Sequence, residues 1–287
     1  MSYSKFFLRV VAMLLIPHVS LAVNSHKSIY QGFYTAIQYK PAGHYLSHLD
    51  IKEDGYNTID AFALRKFSSV KNVQVNTTLA ATLGNQDNFT IGYNPHYENS
   101  YLGISGVLGC YYHNGLRVES EVSYKAFQLK NEGYKILDHE KYFALARSAS
   151  SYGRITRFFT PNEYVTLMNN GIKSTSLLVN ACYDVNTKIK NLVTYSCIGF
   201  GADLVDFLGK YSIKPSYQTK LGISYPVSSN IIAVAEGYYH GLLSKRFDKI
   251  PVTQQKYLRL SPPVTTASAL LNIRYYGGSI GVRFILG

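Results

Sequence analysis

The 287-residue sequence predicts an all-β protein: an antiparallel, up-and-down transmembrane β-barrel with a best count of ten strands, within a range of eight to twelve, and long extracellular loops carrying short helices. Three observations predict it. The chain opens with an export signal and holds no later apolar run near the roughly 18 residues of a membrane helix. Segments of about ten residues alternate between apolar and polar, the length and period of a strand that crosses a bilayer at a tilt. Tight and long connections also take turns along the chain, as they do when every second turn faces the periplasm.

The first element is "MSYSKFFLRVVAMLLIPHVSLAVNS". Lys5 and Arg9 precede an apolar run from Val10 to Ile16, and Ser20-Leu21-Ala22 supplies small residues for cleavage. That order of regions is a secretory signal peptide, cut after Ala22. Residues 1–22 are therefore the signal peptide and 23–287 a single barrel domain, with no linker and no internal repeat.

Ten strands follow, near residues 29–40, 57–67, 72–83, 101–112, 116–127, 174–185, 194–204, 215–225, 230–241 and 272–286. The clearest is "LRVESEVSYKA", in which Leu116, Val118, Val122, Tyr124 and Ala126 alternate with Arg117, Glu119, Glu121, Ser123 and Lys125. Period two gives each set its own face of a strand. In a soluble sheet the charges would face water; in a barrel they face the lumen and the apolar row faces lipid. The connections 113–115, 186–193 and 226–230 are tight, whereas 84–100, 128–173 and 242–271 are long. With the N-terminus in the periplasm, ten strands put all the long loops outside, and a count of eight requires losing two strands together. In "FFTPNEYVTLMNNG", Thr160, Pro161 and Glu163 read as a helix start and Asn170-Gly171 as its end.

Composition adds 26 Tyr and 14 Phe without Trp, and tyrosine suits an aromatic girdle at a membrane interface. A soluble, Tyr-rich exported β-protein stays open on composition alone. The net charge of +12 becomes +10 once Lys5 and Arg9 leave with the signal. Its cations are scattered, which points to headgroups, glycans or solutes as partners and away from nucleic acid.

No catalytic, cofactor or metal site is expected. "GGSIG", Gly277 to Gly281, has the letters of a nucleophile elbow, but no Asp, Glu or His follows it to complete the chain order. Its glycines read as small residues in a closing strand. Cys182 and Cys197 fall on the polar faces of two strands joined by a short turn, and a hairpin centred near residues 189 and 190 sets them opposite. In an oxidising compartment a cross-strand disulfide fits; two free residues in a packed lumen is the alternative. Cys110 belongs to an outward, lipid-facing row.

Several stretches then resemble one family together: "GFYTAIQYKPAGHY", "YENSYLGISGVLGCYYHNGLRVESEVSYKAF", "YVTLMNNGI", "LLVNACYDV", "CIGFGADLVDF", "KPSYQTKLGISYPVS" and the closing "GVRFIL". They are similar to the surface-antigen outer-membrane proteins of Ehrlichia and Anaplasma, which include the major immunodominant surface proteins. The resemblance spans nearly the whole mature chain. It implies a surface-exposed, antigenic barrel in the cell outer membrane, with variable loops outside and porin activity in some members. It carries over no catalytic residue. The chain departs from the family by ending in Leu286-Gly287 instead of an aromatic residue.

Three functional readings follow. A pore for small solutes would be lined by Arg117, Glu119, Glu121, Lys125, Gln218 and Lys220. Against it, eight strands leave room only for side chains, and pairing of Arg with Glu would plug a narrow lumen. A scaffold without conduction would instead bind through its loops. The last loop, with Lys245, Arg246, Lys249, Lys256 and Arg259 against Asp248, offers positive charge to host cell-surface molecules, glycans or headgroups, and the loops offer epitopes to antibodies. The third reading is a soluble exported protein.

Overall fold

The computed structural model describes residues 32–66, 79–112, 115–147, 164–186, 192–252, 254–255 and 265–286. The expected signal peptide at 1–22 lies outside them. Strands in chain order are β1 (Gly32–Tyr39), β2 (Gly43–Leu46), β3 (Asp50–Glu53), β4 (Thr58–Leu64), β5 (Phe89–Ile91), β6 (Ile104–Tyr111), β7 (Leu116–Phe127), β8 (Tyr142–Arg147) and β9 (Tyr164–Met168). Then come β10 (Ile172–Asn186), β11 (Val193–Phe207), β12 (Lys210–Pro226), β13 (Ile231–Leu242), β14 (Arg246–Pro251), β15 (Gln254–Gln255), β16 (Thr266–Leu270) and β17 (Ile273–Leu286). One short helix, α1 (Leu79–Gly84), sits in the first long connection.

Eight of these strands form a closed antiparallel barrel in the order β1-β6-β7-β10-β11-β12-β13-β17, with β17 pairing back onto β1. The register fixes its shape. Followed one way, Tyr39 pairs with Ile104, then Tyr124, Thr175, Leu204 and Ile213. Followed the other way, Tyr39 pairs with Ile280, then Ala235 and Ile223. The two routes meet on β12 ten residues apart. Eight strands with a shear of ten tilt by about 40° and leave an interior that side chains fill.

The best count of ten is thus corrected to eight, the low end of the expected range. Residues 58–64 do form a strand, but it belongs to a sheet outside the barrel. The strand expected at 72–83 is not there in its described part, where Leu79–Gly84 is helical; "LAATLG" is rich in Ala and Leu, the strongest helix formers. Losing both segments preserves parity, so β1 begins and β17 ends at the same, periplasmic rim.

Outward rows are apolar and exposed, as lipid requires: Ile198, Phe200, Leu221 and Ile280 are among them. On β7 the charged row is buried and the row of Leu116, Val118 and Tyr124 is exposed, the reverse of a soluble strand. Cys110 lies on the outward row of β6 as a free thiol.

The long connections are not separate loops. A three-stranded sheet, β14-β16-β3, joins the first connection to the third, and a five-stranded sheet, β15-β9-β8-β4-β5, joins all three. Their shared core, including Phe143, Leu145, Val165, Leu167, Phe247 and Ile250, packs on the apolar collar of the barrel mouth at Phe127, Ile172, Val205, Phe207, Ile273 and Tyr275. The helix expected after Thr160 is corrected here. Thr160 to Glu163 lie outside the described residues, but Tyr164–Met168 is β9, paired with β8 and buried at four of five positions. A segment buried on both faces favours the β-branched and aromatic residues found there.

Glycines on the inner wall make room for the largest lumen side chains. A Cβ at Gly109 would lie 2.2 Å from the Tyr34 ring, and one at Gly222 2.4 Å from the Tyr195 ring. Gly277 and Gly281 of "GGSIG" likewise face neighbouring backbone at 2.2 and 2.3 Å. Replacing Gly109 by Val is expected to destabilise the folded barrel by about 1–3 kcal/mol through overpacking. The check is the urea midpoint of the compact, heat-modifiable band on gels; an unchanged midpoint would show that Tyr34 is not seated there.

Candidate functional site

The lumen is the first place to look for function, because the sequence concentrates its patterned charge there. Arg117, Glu119, Glu121, Lys125, Gln218 and Lys220 are all turned inward and all at most 2 % exposed. β7 supplies the first four from its odd positions and β12 the last two from its even ones.

They form one network with residues that neighbouring strands supply. Near the periplasmic end, Arg117 donates to Asp184 at 2.8 Å and to Glu119 at 2.6 Å, and its guanidinium lies over the Tyr195 ring. The Tyr34 hydroxyl donates to Glu119 at 2.6 Å. Halfway up, the Lys220 ammonium bridges Glu119 and Glu121. Glu121 also receives Lys40, the Gln218 amide at 3.0 Å and the Asn180 amide at 3.3 Å. On the far wall Glu236 accepts from Tyr195 at 3.0 Å and from Ser279 at 3.1 Å, so the serine of "GGSIG" is a lumen donor. Toward the mouth, Asp203 accepts from Ser174 at 2.7 Å and meets His240 Nε2 at 3.0 Å, and the His240 ring stacks on Tyr275.

The charges balance. Among the described lumen residues, five cations (Lys40, Arg117, Lys125, Lys220 and Arg283) face five carboxylates (Glu119, Glu121, Asp184, Asp203 and Glu236). Burying charges is tolerable only when they are paired and hydrogen-bonded. Lys125 and Arg283 lack a direct carboxylate contact: Lys125 donates to the Tyr124 carbonyl, and Arg283 donates to the Tyr111 hydroxyl and lies over Tyr34.

Cys182 and Cys197 are direct register partners, with Cα atoms 4.1 Å apart and their sulfurs bonded. They close the lumen floor beside Tyr195. Glu119 lies close to both sulfurs, but bonded sulfurs are not thiolate ligands, so this cluster is not a metal site.

Above the lumen, the apolar head adds a second closure. Within it Arg147 donates twice to Glu53, at 2.7 and 2.6 Å, joining the first and second connections. The Asn169 amide bridges the hydroxyls of Tyr93 and Tyr97, and Tyr93 stacks flat on Phe143. Burial pushes both phenols well above their ordinary range. Of the basic loop, Lys245, Arg246 and Lys249 are exposed on or beside β14, with Arg246 paired to Asp248 at 2.6 Å. Lys256 and Arg259 lie outside the described residues. Two cations that the sequence did not single out join them, since Lys210 and Lys214 of β12 donate to β14 carbonyls.

Strand parity alone reaches Glu236, His240 and Arg283, which alternate with outward apolar neighbours. It does not reach Lys40, which follows the end of β1.

Comparison with known proteins places this geometry in a family. The sequence profile of a family described as Surface antigen matches residues 26–286. Major surface antigen 4 of Anaplasma marginale is 29% identical over 254 residues, covering 88% of this chain and 83% of that one. Among solved structures, the outer membrane protein OprG from Pseudomonas aeruginosa has a TM-score of 0.49 and 10% identity, covering 89% of this chain and 97% of that one. Neisserial surface protein A has a TM-score of 0.36 and 12% identity, covering 88% and 97%.

Two outcomes are expected. Thiol titration of the denatured, unreduced protein should count one reactive cysteine, rising to three after reduction. Three before reduction would dispose of the bridge. Glu121→Gln removes the anion shared by Lys40 and Lys220, and should destabilise the barrel by about 3–5 kcal/mol, read as a lower urea midpoint.

Proposed function

The chain belongs to the surface antigen family, and from that premise we propose that it acts as a closed outer-membrane anchor displaying a folded head, and not as a pore. The observation that carries this reading is the balanced, buried network between Arg117 and Asp203, in which all six candidate pore residues are at most 2 % exposed and five of them, all but Lys125, bind one another. A conducting lumen needs charged walls that meet solvent and release ions readily. Here the walls meet, and the head covers the mouth with apolar side chains.

The head is then the working surface. It presents a recess of about 480 Å³ of mixed charge, where Arg65, Lys66, His96 and Lys130 meet Glu132 and Glu140, and the basic edge at Lys245, Arg246 and Lys249. Both support a role in contact with host-cell molecules or antibodies. Because its two sheets draw strands from three connections, the epitopes are conformational: unfolding one connection dismantles the sheet that the others share.

Planar-bilayer reconstitution tests the reading. The folded, heat-modifiable protein should produce no discrete conductance steps. Steps whose ion preference shifts when Glu119 and Glu121 are neutralised would establish the pore instead.

A further inference from the structure

Among the described residues, one arginine faces the lipid side of the barrel. Arg274 on β17 is in register with Gly241 on one flank and Tyr45 on the other. Cross-strand partners share a face, and that face is the outward one: Tyr276, two residues on, is 56% exposed, and Tyr45 66%. Tyr217 pairs with Gly241, and its ring covers the glycine, since a Cβ there would lie 2.8 Å from the Tyr217 hydroxyl. Tyr239 pairs with Tyr276 one step below. Arg274, itself only partly buried, therefore shares the outward face with four tyrosines on its own strand and its neighbours. Among the described residues, no hydrogen bond or ion pair engages Arg274.

Depth explains how the lipid face tolerates this charge. Ten residues separate Leu286, at the periplasmic rim, from Tyr276. At about 3.4 Å per residue and a tilt of about 40°, they span about 26 Å, which matches an apolar band about 25 Å tall. Tyr276 and Tyr239 thus lie at the outer girdle, and Arg274 one step further, about 5 Å into the headgroup layer. A lipid-facing cation costs several kcal/mol at mid-bilayer but almost nothing at that depth.

We propose that Arg274, framed by Tyr45, Tyr217, Tyr239 and Tyr276, is a binding site for the phosphate of an anionic lipid in the outer leaflet. The guanidinium fork matches two phosphate oxygens. Tyrosine hydroxyls supply further donors, and their rings face the glycerol and upper acyl region. Continuity with the lipid-facing belt assigns the anion to a membrane lipid and not to a solute. The site rests on the barrel reading and is independent of whether the lumen conducts.

The test is native mass spectrometry of the detergent-solubilised full-length protein titrated with phosphatidylglycerol. Diacylglycerol, inorganic phosphate and a sulfated glycan serve as comparators. Wild type should retain phosphatidylglycerol at least about fivefold more strongly than Arg274→Gln, with Arg274→Lys between them. Diacylglycerol should not be retained, and a tenfold excess of phosphate or glycan should not displace the lipid. Equal retention by wild type and Arg274→Gln, both heat-modifiable, would overturn the site. Displacement by phosphate or glycan would overturn the lipid assignment. Failure of the barrel reading would look different, as wild type remaining soluble without detergent.

Discussion

An eight-stranded barrel of shear ten encloses only enough space for its own side chains, and this chain fills that space with charge. That constraint shapes the rest of the molecule. Ions held in a dry lumen must neutralise one another, and Glu119, Glu121 and Lys220 do so at its centre, with Lys40 and Arg117 completing the shell. The tyrosines that satisfy the remaining carboxylate oxygens are bulky. The neighbouring strands therefore carry glycine as their direct register partners, Gly109 beside Tyr34 and Gly222 beside Tyr195.

The filled lumen also explains the head. Above Asp203 and His240 the inner wall turns apolar, and that collar would be exposed at the barrel mouth without a cover. The three long connections provide it by folding together, with β8 and β9 paired in the centre of one sheet and Glu53 clamped to Arg147 across two connections. Below the collar the barrel is packed with charge, and above it with apolar side chains.

Much of this was legible from period two alone. The alternation in Leu116 to Ala126 separates the buried and lipid-facing rows, and the short turn between β10 and β11 brings Cys182 and Cys197 into register. The strand count was not legible, because residues 58–64 are as amphipathic as a barrel strand; the sheet they join depends on pairing with β8, more than 70 residues away in sequence. The folded head was hidden for the same reason. Local patterns identified "YVTLM" as a helix through its flanking Pro161 and Asn170-Gly171, whereas burial against β8 decided for a strand. Arg274 escaped notice because an outward arginine carries meaning only once its depth is known.

The central claim is that the lumen charges bind each other in the absence of bulk water. Its most direct measurement is proton NMR of the ammonium groups in protein labelled with ¹⁵N at lysine, with Lys40→Met and Lys220→Met used for assignment. Hydrogen-bonded, water-excluded ammonium groups at Lys40 and Lys220 should give resolved, slowly exchanging signals at neutral pH. Exchange at both sites as fast as at the exposed lysines of the head would contradict the account.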